Sequence, residues 1–173
     1  MHAPAFGGGL ELALATTLRV FTANVEVGLP ETRLAILPGA GGTYRLPAAI
    51  GLQRARDLVL TGRRVKAPEA YFLGLCDRLV DVPLPKDPAG KFAAEELADA
   101  RQRCLEAGVD LARQICEGGP IAIRLALQAV NGWEAGLDGS VENKAYEGVV
   151  TTRDRDEALA AFREKRKPVF EGR

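Results

Sequence analysis

Two acids in turns bounded by glycine or proline are the residues best placed for chemistry. In Gly7-Gly8-Gly9-Leu10-Glu11, three glycines open a helix and an acid follows within about a turn. Backbone N–H groups at such an opening lack partners inside the helix, and the helix dipole adds partial positive charge. That combination can hold an oxyanion, with Glu11 beside it. Read alone, the run also fits a tight turn followed by an ordinary N-terminal helix acid. Gly28-Leu29-Pro30-Glu31 holds the second acid, either fixed rigidly in a cleft or solvated in a loop. A third run, Leu37-Pro38-Gly39-Ala40-Gly41-Gly42-Thr43, is glycine-rich enough to cradle a phosphate. It lacks the lysine of a P-loop and the spacing of a dinucleotide fingerprint, so a close backbone approach or a tight turn is the better reading.

The other reactive residue types are sparse. His2 is the single histidine, which leaves little for histidine catalysis or metal ligation. Cys76, Cys104 and Cys116 show no C-x-x-C spacing. They argue against a disulfide framework or a structural zinc site and fit a reducing compartment.

Short elements must position the acids. Helical spacing predicts a helix over Leu10–Leu18 and a strand over Arg19–Ala23. Val25–Pro38 reads as irregular, and a helix capped by Gly42 or Thr43 runs to Ile50 and stops at Gly51. Leu52–Leu60 forms the next helix, stopped by Gly62. Ala67-Pro68-Glu69 starts another that ends before Gly74, and Arg78–Val82 reads as a strand. Pro83, Pro85, Pro88 and Gly90 make a linker up to Lys91. Beyond it the pattern is all helix: Ala93–Cys116, Pro120–Trp133 and about Gly139–Val150. A fourth helix follows Thr151-x-x-Asp154, which reads as a capping box. Residues 1–82 are therefore mixed α/β and residues 83–173 helical.

Composition sets outer bounds. A chain of 173 residues buries about 69% of its extended surface on folding, enough for one sizeable core. With 47% hydrophobic and 27% charged residues, the chain is not of disordered composition. Lys+Arg and Asp+Glu number 23 each, so formal net charge is zero. That disfavours binding nucleic acid through bulk positive charge. No apolar run approaches the length of a membrane span.

The order of the motifs is more specific than any of them. Ala5-Phe6-Gly7-Gly8-Gly9-Leu10-Glu11 is followed by Gly28-Leu29-Pro30-Glu31, then by Ile36-Leu37-Pro38-Gly39-Ala40-Gly41-Gly42-Thr43-Tyr44-Arg45-Leu46-Pro47. Leu60-Thr61-Gly62-Arg63, Glu69-Ala70-x-x-x-Gly74-Leu75 and Phe162-Arg163-Glu164-Lys165-Arg166-Lys167-Pro168 complete the series. Across all 173 residues the chain resembles the enoyl-CoA hydratase/isomerase (crotonase) family. Within it, the sequence is most similar to the methylglutaconyl-CoA hydratase-like group.

The resemblance implies an α/β fold: the C-terminal part of a crotonase-like ββα spiral over residues 1–82, followed by a helical trimerisation region over 83–173. It implies an acyl-CoA thioester substrate, no metal and no redox cofactor, coenzyme A being part of the substrate. It places Glu11 and Glu31 around a catalytic water, Glu11 as base and Glu31 as proton donor to C2. Gly8 inherits one N–H of the oxyanion hole, and Pro30, Phe162 and Lys165 inherit contacts to substrate or CoA. Two glutamates favour a hydratase, because double-bond isomerases of the family manage with one. The family's oligomers imply a homo-trimer or hexamer, and its relatives imply the mitochondrial matrix. Neither nucleic acid nor membrane is an expected partner; the RNA-binding branch of the family relies on a lysine-rich helix with no counterpart here.

The sequence also departs from the family pattern. Relatives carry further chain ahead of the triple glycine, including the turn that donates the second oxyanion N–H. The expectation is a chain shortened at its start, with sheet edges and apolar faces exposed and poor solubility alone. Thr16-Thr17 stands where relatives have Cys-Asp, which implies a local hydrogen-bond change and not lost catalysis. The competing reading is a non-catalytic CoA-binding or oligomer-assembly module.

Overall fold

The computed structural model describes residues 1–83, 85, 87, 92–134 and 140–173. The elements run β1 (Ala5–Phe6), α1 (Gly8–Leu14), β2 (Val20–Thr22), β3 (Glu26–Gly28) and a 3-10 turn (Glu31–Leu34). They continue through α2 (Gly42–Ile50), α3 (Leu52–Thr61), β4 (Val65–Lys66), α4 (Ala67–Leu73) and β5 (Arg78–Val80). Four helices follow: α5 (Ala94–Cys116), α6 (Pro120–Glu134), α7 (Ser140–Val150) and α8 (Arg153–Glu164).

Two small sheets carry the first half. In one, β3 lies between β1, which pairs with it in parallel, and β4, which pairs antiparallel. In the other, β2 and β5 are parallel neighbours. The helices close over them around Leu10, Phe21, Val27, Leu46, Leu58 and Leu75, all fully buried. The expected helix over Leu10–Leu18 starts earlier and ends sooner, because Thr16 Oγ donates back to the Ala13 carbonyl at 2.7 Å and closes the helix. The expected strands over 19–23 and 78–82 shorten to β2 and β5. The stretch read as irregular, Val25–Pro38, contains β3 and the 3-10 turn. Gly51, Gly62 and Gly74 end their helices at positive φ, as their positions predicted.

The chain falls into two compact units, Met1–Val109 and Asp110–Arg173. The composition shift at 82/83 thus lies inside the first unit. The start of α5 belongs there too: the Met1 amino group donates to Cys104 Sγ at 3.1 Å and to the Val20 carbonyl. Of the linker, Pro88, Gly90 and Lys91 lie outside the described residues, as does Gly139 at the expected start of α7.

In the second unit, the capping box expected at Thr151-x-x-Asp154 does not form, and the next residue provides a single N-cap bond instead. Thr152 caps α8, its hydroxyl accepting from the Arg155 N–H at 3.2 Å. Thr152 has the extended backbone a cap needs (φ −84°, ψ 147°). Asp154 is buried and holds the C-terminal tail, accepting from the N–H groups of Glu171 and Gly172 at 2.7 and 2.8 Å.

Candidate active site

The parallel pairing of β1 and β3 brings the two acids together. Their register sets Phe6 beside Gly28, and the next N–H along, that of Gly7, donates to the Gly28 carbonyl at 2.9 Å. Adjacent strands lie about 4.8 Å apart. The chain leaving β1 through Gly7 into α1 therefore runs beside the chain leaving β3 through Leu29 and Pro30 into the 3-10 turn. Glu11 lies in the first turn of α1 and Glu31 opens the 3-10 turn, with Pro30 at its N-cap. Both carboxylates are buried, Glu11 at 3% exposure and Glu31 at 9%.

Each acid is held differently. Glu11 Oε1 accepts two backbone hydrogen bonds, from the N–H groups of Ala40 and Gly42, both at 2.8 Å. The run 37–43 is thus an anion cradle formed by close backbone approach, and the anion is a carboxylate of the same chain. Glu11 also serves α2. That helix begins at Gly42 with Gly41 as its N-cap and no side chain of its own to cap it. Glu11 supplies the missing acceptor from another element, where an anion suits the dipole. Gly42 must lack a side chain: a Cβ would stand 3.0 Å from Glu11 Oε1, from Leu29 Cδ1 and from Pro38 Cβ.

Glu31 has no such anchor. Its Oε2 is buried and has no hydrogen-bond partner among the described residues. An unpartnered carboxylate oxygen costs on the order of 1–3 kcal/mol, a burden retained at sites that meet a reactant.

Gly8, the third member of this group, is the exposed first residue of α1. Its N–H is one of those with no acceptor inside a helix. Gly8, Glu11, Pro30 and Glu31 therefore share one region of the first unit. Phe162 and Lys165 lie in the second unit, at the end of α8, both exposed, with Lys165 as the left-handed C-cap. Sequence reasoning did not single out Ala40 and Gly42 as partners of Glu11. The glycine run was visible, but the acid it binds stands 29 and 31 residues away.

Two buried carboxylates, one clamped by main-chain N–H groups and one with an unpartnered oxygen, thus follow the neighbouring strands β1 and β3. The sequence profile described as enoyl-CoA hydratase/isomerase matches residues 1–173, and the chain belongs to that family. It is 60% identical over 172 residues to an enoyl-CoA isomerase/hydratase of Zymoseptoria tritici, covering 98% of this chain and 52% of that protein. It is 58% identical over 173 residues to the mitochondrial methylglutaconyl-CoA hydratase 1 of Pyricularia oryzae, covering 98% and 48%. Among solved structures, an enoyl-CoA hydratase from Bacillus anthracis superposes with a TM-score of 0.81 at 41% identity, covering 98% of this chain and 60% of that one. The chain spans about half the length of the curated relatives it matches. Its fold is accordingly the C-terminal α/β portion of the crotonase fold.

Proposed function

We propose that this chain supplies the acid pair of an enoyl-CoA hydratase, adding water across the 2,3 double bond of an acyl-CoA thioester. One observation carries the reading: two buried carboxylates follow the paired strands β1 and β3, one clamped by the N–H groups of Ala40 and Gly42 and the other with an unpartnered oxygen. In this reading Glu11, held through Oε1, binds the water and takes a proton from it. The hydroxide adds to C3, and the electron pair of the double bond moves onto the thioester oxygen. The Gly8 N–H faces the negative charge growing there; one such donor is worth roughly 3–4 kcal/mol. Glu31 then gives its proton to C2. The net result is one water added and one proton moved from Glu31 to Glu11.

Further features extend the proposal. Similarity to the Pyricularia relative makes 3-methylglutaconyl-CoA the first substrate to try. Pro30 sets the entry of Glu31, and Phe162 and Lys165 are assigned to the CoA moiety. Exposed apolar side chains of the helical region such as Leu105, Val130 and Tyr146 fit assembly into trimers. Among the described residues no helix is long and apolar enough to cross a membrane. The mitochondrial matrix is the proposed location, after the relative named as mitochondrial.

The test follows loss of enoyl-thioester absorbance with crotonyl-CoA and 3-methylglutaconyl-CoA. It uses the 173-residue chain and a completed chimera, in which the Pyricularia relative supplies the region this chain does not span. Hydration that collapses in both Glu11→Gln and Glu31→Gln supports the proposal. A completed protein that binds CoA thioesters and hydrates neither substrate replaces it with the non-catalytic binding module.

A further inference from the structure

Of the three glycines 7–9, one has its place dictated by its neighbours. The Gly7 backbone lies at φ 56°, ψ −128°, a conformation L side chains rarely adopt. A Cβ there would stand 2.9 Å from Glu31 Oε1 and 3.5 Å from its Cδ. At Gly8 a Cβ would meet nothing within 4 Å, and at Gly9 only the Ala5 Cβ at 3.6 Å. Glu31 thus rests one carboxylate oxygen against the bare α-carbon of Gly7, while its other oxygen, Oε2, is buried without a partner.

We propose that Gly7 is a positioning residue for Glu31: its bare α-carbon is the seat for Oε1, and that seat sets where the carboxylate stands relative to the reacting carbon. The inference rests on the hydratase reading given above. No hydrogen-bond donor among the described residues fixes Oε2, so contact at the seat orients the carboxylate in place of a bond. A methyl group on Gly7 would displace the whole carboxylate. A misplacement of about 1 Å lowers the rate of a positioned reaction about 10²-fold.

Gly7 needs glycine on backbone grounds as well, and Gly51 separates the two effects. Gly51 has φ 81°, and a Cβ there would meet nothing within 4 Å, so Gly51→Ala introduces backbone strain alone. The experiment compares Gly7→Ala, Gly51→Ala, Glu31→Asp and the double variant Gly7→Ala/Glu31→Asp in the completed chimera, with Glu31→Gln as reference. It reads kcat and KM separately, and the urea midpoint. The expected result is kcat about 10²-fold lower in Gly7→Ala, KM within about threefold, and kcat unchanged in Gly51→Ala. Aspartate withdraws the carboxylate by one methylene, so the double variant should regain part of the midpoint lost in Gly7→Ala.

Full kcat in Gly7→Ala overturns the proposal, as does a double variant no more stable than Gly7→Ala. Should Gly7→Ala not fold, folding of the double variant supports the seat, and full kcat in Glu31→Asp, which withdraws the carboxylate from the seat, overturns it. Full activity in Glu31→Gln sinks the catalytic role of Glu31 and this inference with it. An inactive Glu31→Gln beside a fully active Gly7→Ala sinks this inference alone.

Discussion

Replacing Glu11 should separate its chemistry from its hold on α2. Glu11→Gln keeps an oxygen where Oε1 accepts from Ala40 and Gly42, at 2.8 Å each. It loses charge assistance but also relieves the desolvation of a buried carboxylate. These effects oppose one another, and the net change should stay within about 1 kcal/mol. Glu11→Ala removes the acceptor altogether. The Gly42 N–H is buried and left unsatisfied at about 1–3 kcal/mol, and the loss of a helix cap adds about 1 kcal/mol. Alanine should therefore be less stable than glutamine by about 2–4 kcal/mol. The assay is urea unfolding followed by circular dichroism at neutral pH, with amide exchange read at Ala40 and Gly42. Both amides should stay protected in Glu11→Gln and open in Glu11→Ala. Hydration should fall about 10²-fold or more in both. Equal urea midpoints for the two variants would refute the capping argument, whatever their activities.

Three other outcomes are expected. Gly8→Ala should leave the urea midpoint unchanged within about 0.5 kcal/mol, because a Cβ there meets nothing. Its kcat/KM should nonetheless fall if the thioester lies over that face, and unchanged kcat/KM would place the substrate elsewhere. Burial pushes the Cys76 thiol up to about 11, so at pH 8 a maleimide should label exposed Cys116 and leave Cys76 unmodified until the chain unfolds, as mass spectrometry of the peptides would show. Finally, the Arg166 guanidinium and then the Val169 N–H hold the Glu157 carboxyl at about 2, below its ordinary 4.5. A carboxyl lowered in this way stabilises the tail above pH 4.5, and the contribution disappears as pH falls through about 2. The Val169 amide resonance should titrate near pH 2, and at a higher pH in Arg166→Ala, where the Val169 N–H still lowers the carboxyl.

Some of this was legible in the sequence for physical reasons. Helix α5 carries helical spacing over 23 residues and stops at a glycine pair, so its ends were readable within one residue. The glycine stops at 51, 62 and 74 were readable because positive φ is a local demand. β1, β3 and β4 were missed, because their two or three residues lie against the glycines and prolines of turns, whereas β2 and β5, also three residues long, lie inside the five-residue runs 19–23 and 78–82. Glu11 and Glu31 stood out as acids in rigid turns. Their convergence was not readable from local spacing, because it depends on the pairing of β1 with β3 across 22 residues of chain, Ala5 opposite Val27. The role of Asp154 was hidden for a similar reason: its partners, Glu171 and Gly172, are 17 and 18 residues away.

The grip on Glu11 comes entirely from main-chain atoms, and that shapes which sequences the site tolerates. Ala40 is exposed at negative φ and contributes only its N–H to Glu11, so any residue with an amide hydrogen would serve. In a saturation library, position 40 should accept every residue except proline. Position 42 should accept glycine alone, because any Cβ meets three neighbours at 3.0 Å. Of two adjacent donors to the same oxygen, one is therefore open to almost any codon and the other is closed to all but glycine's.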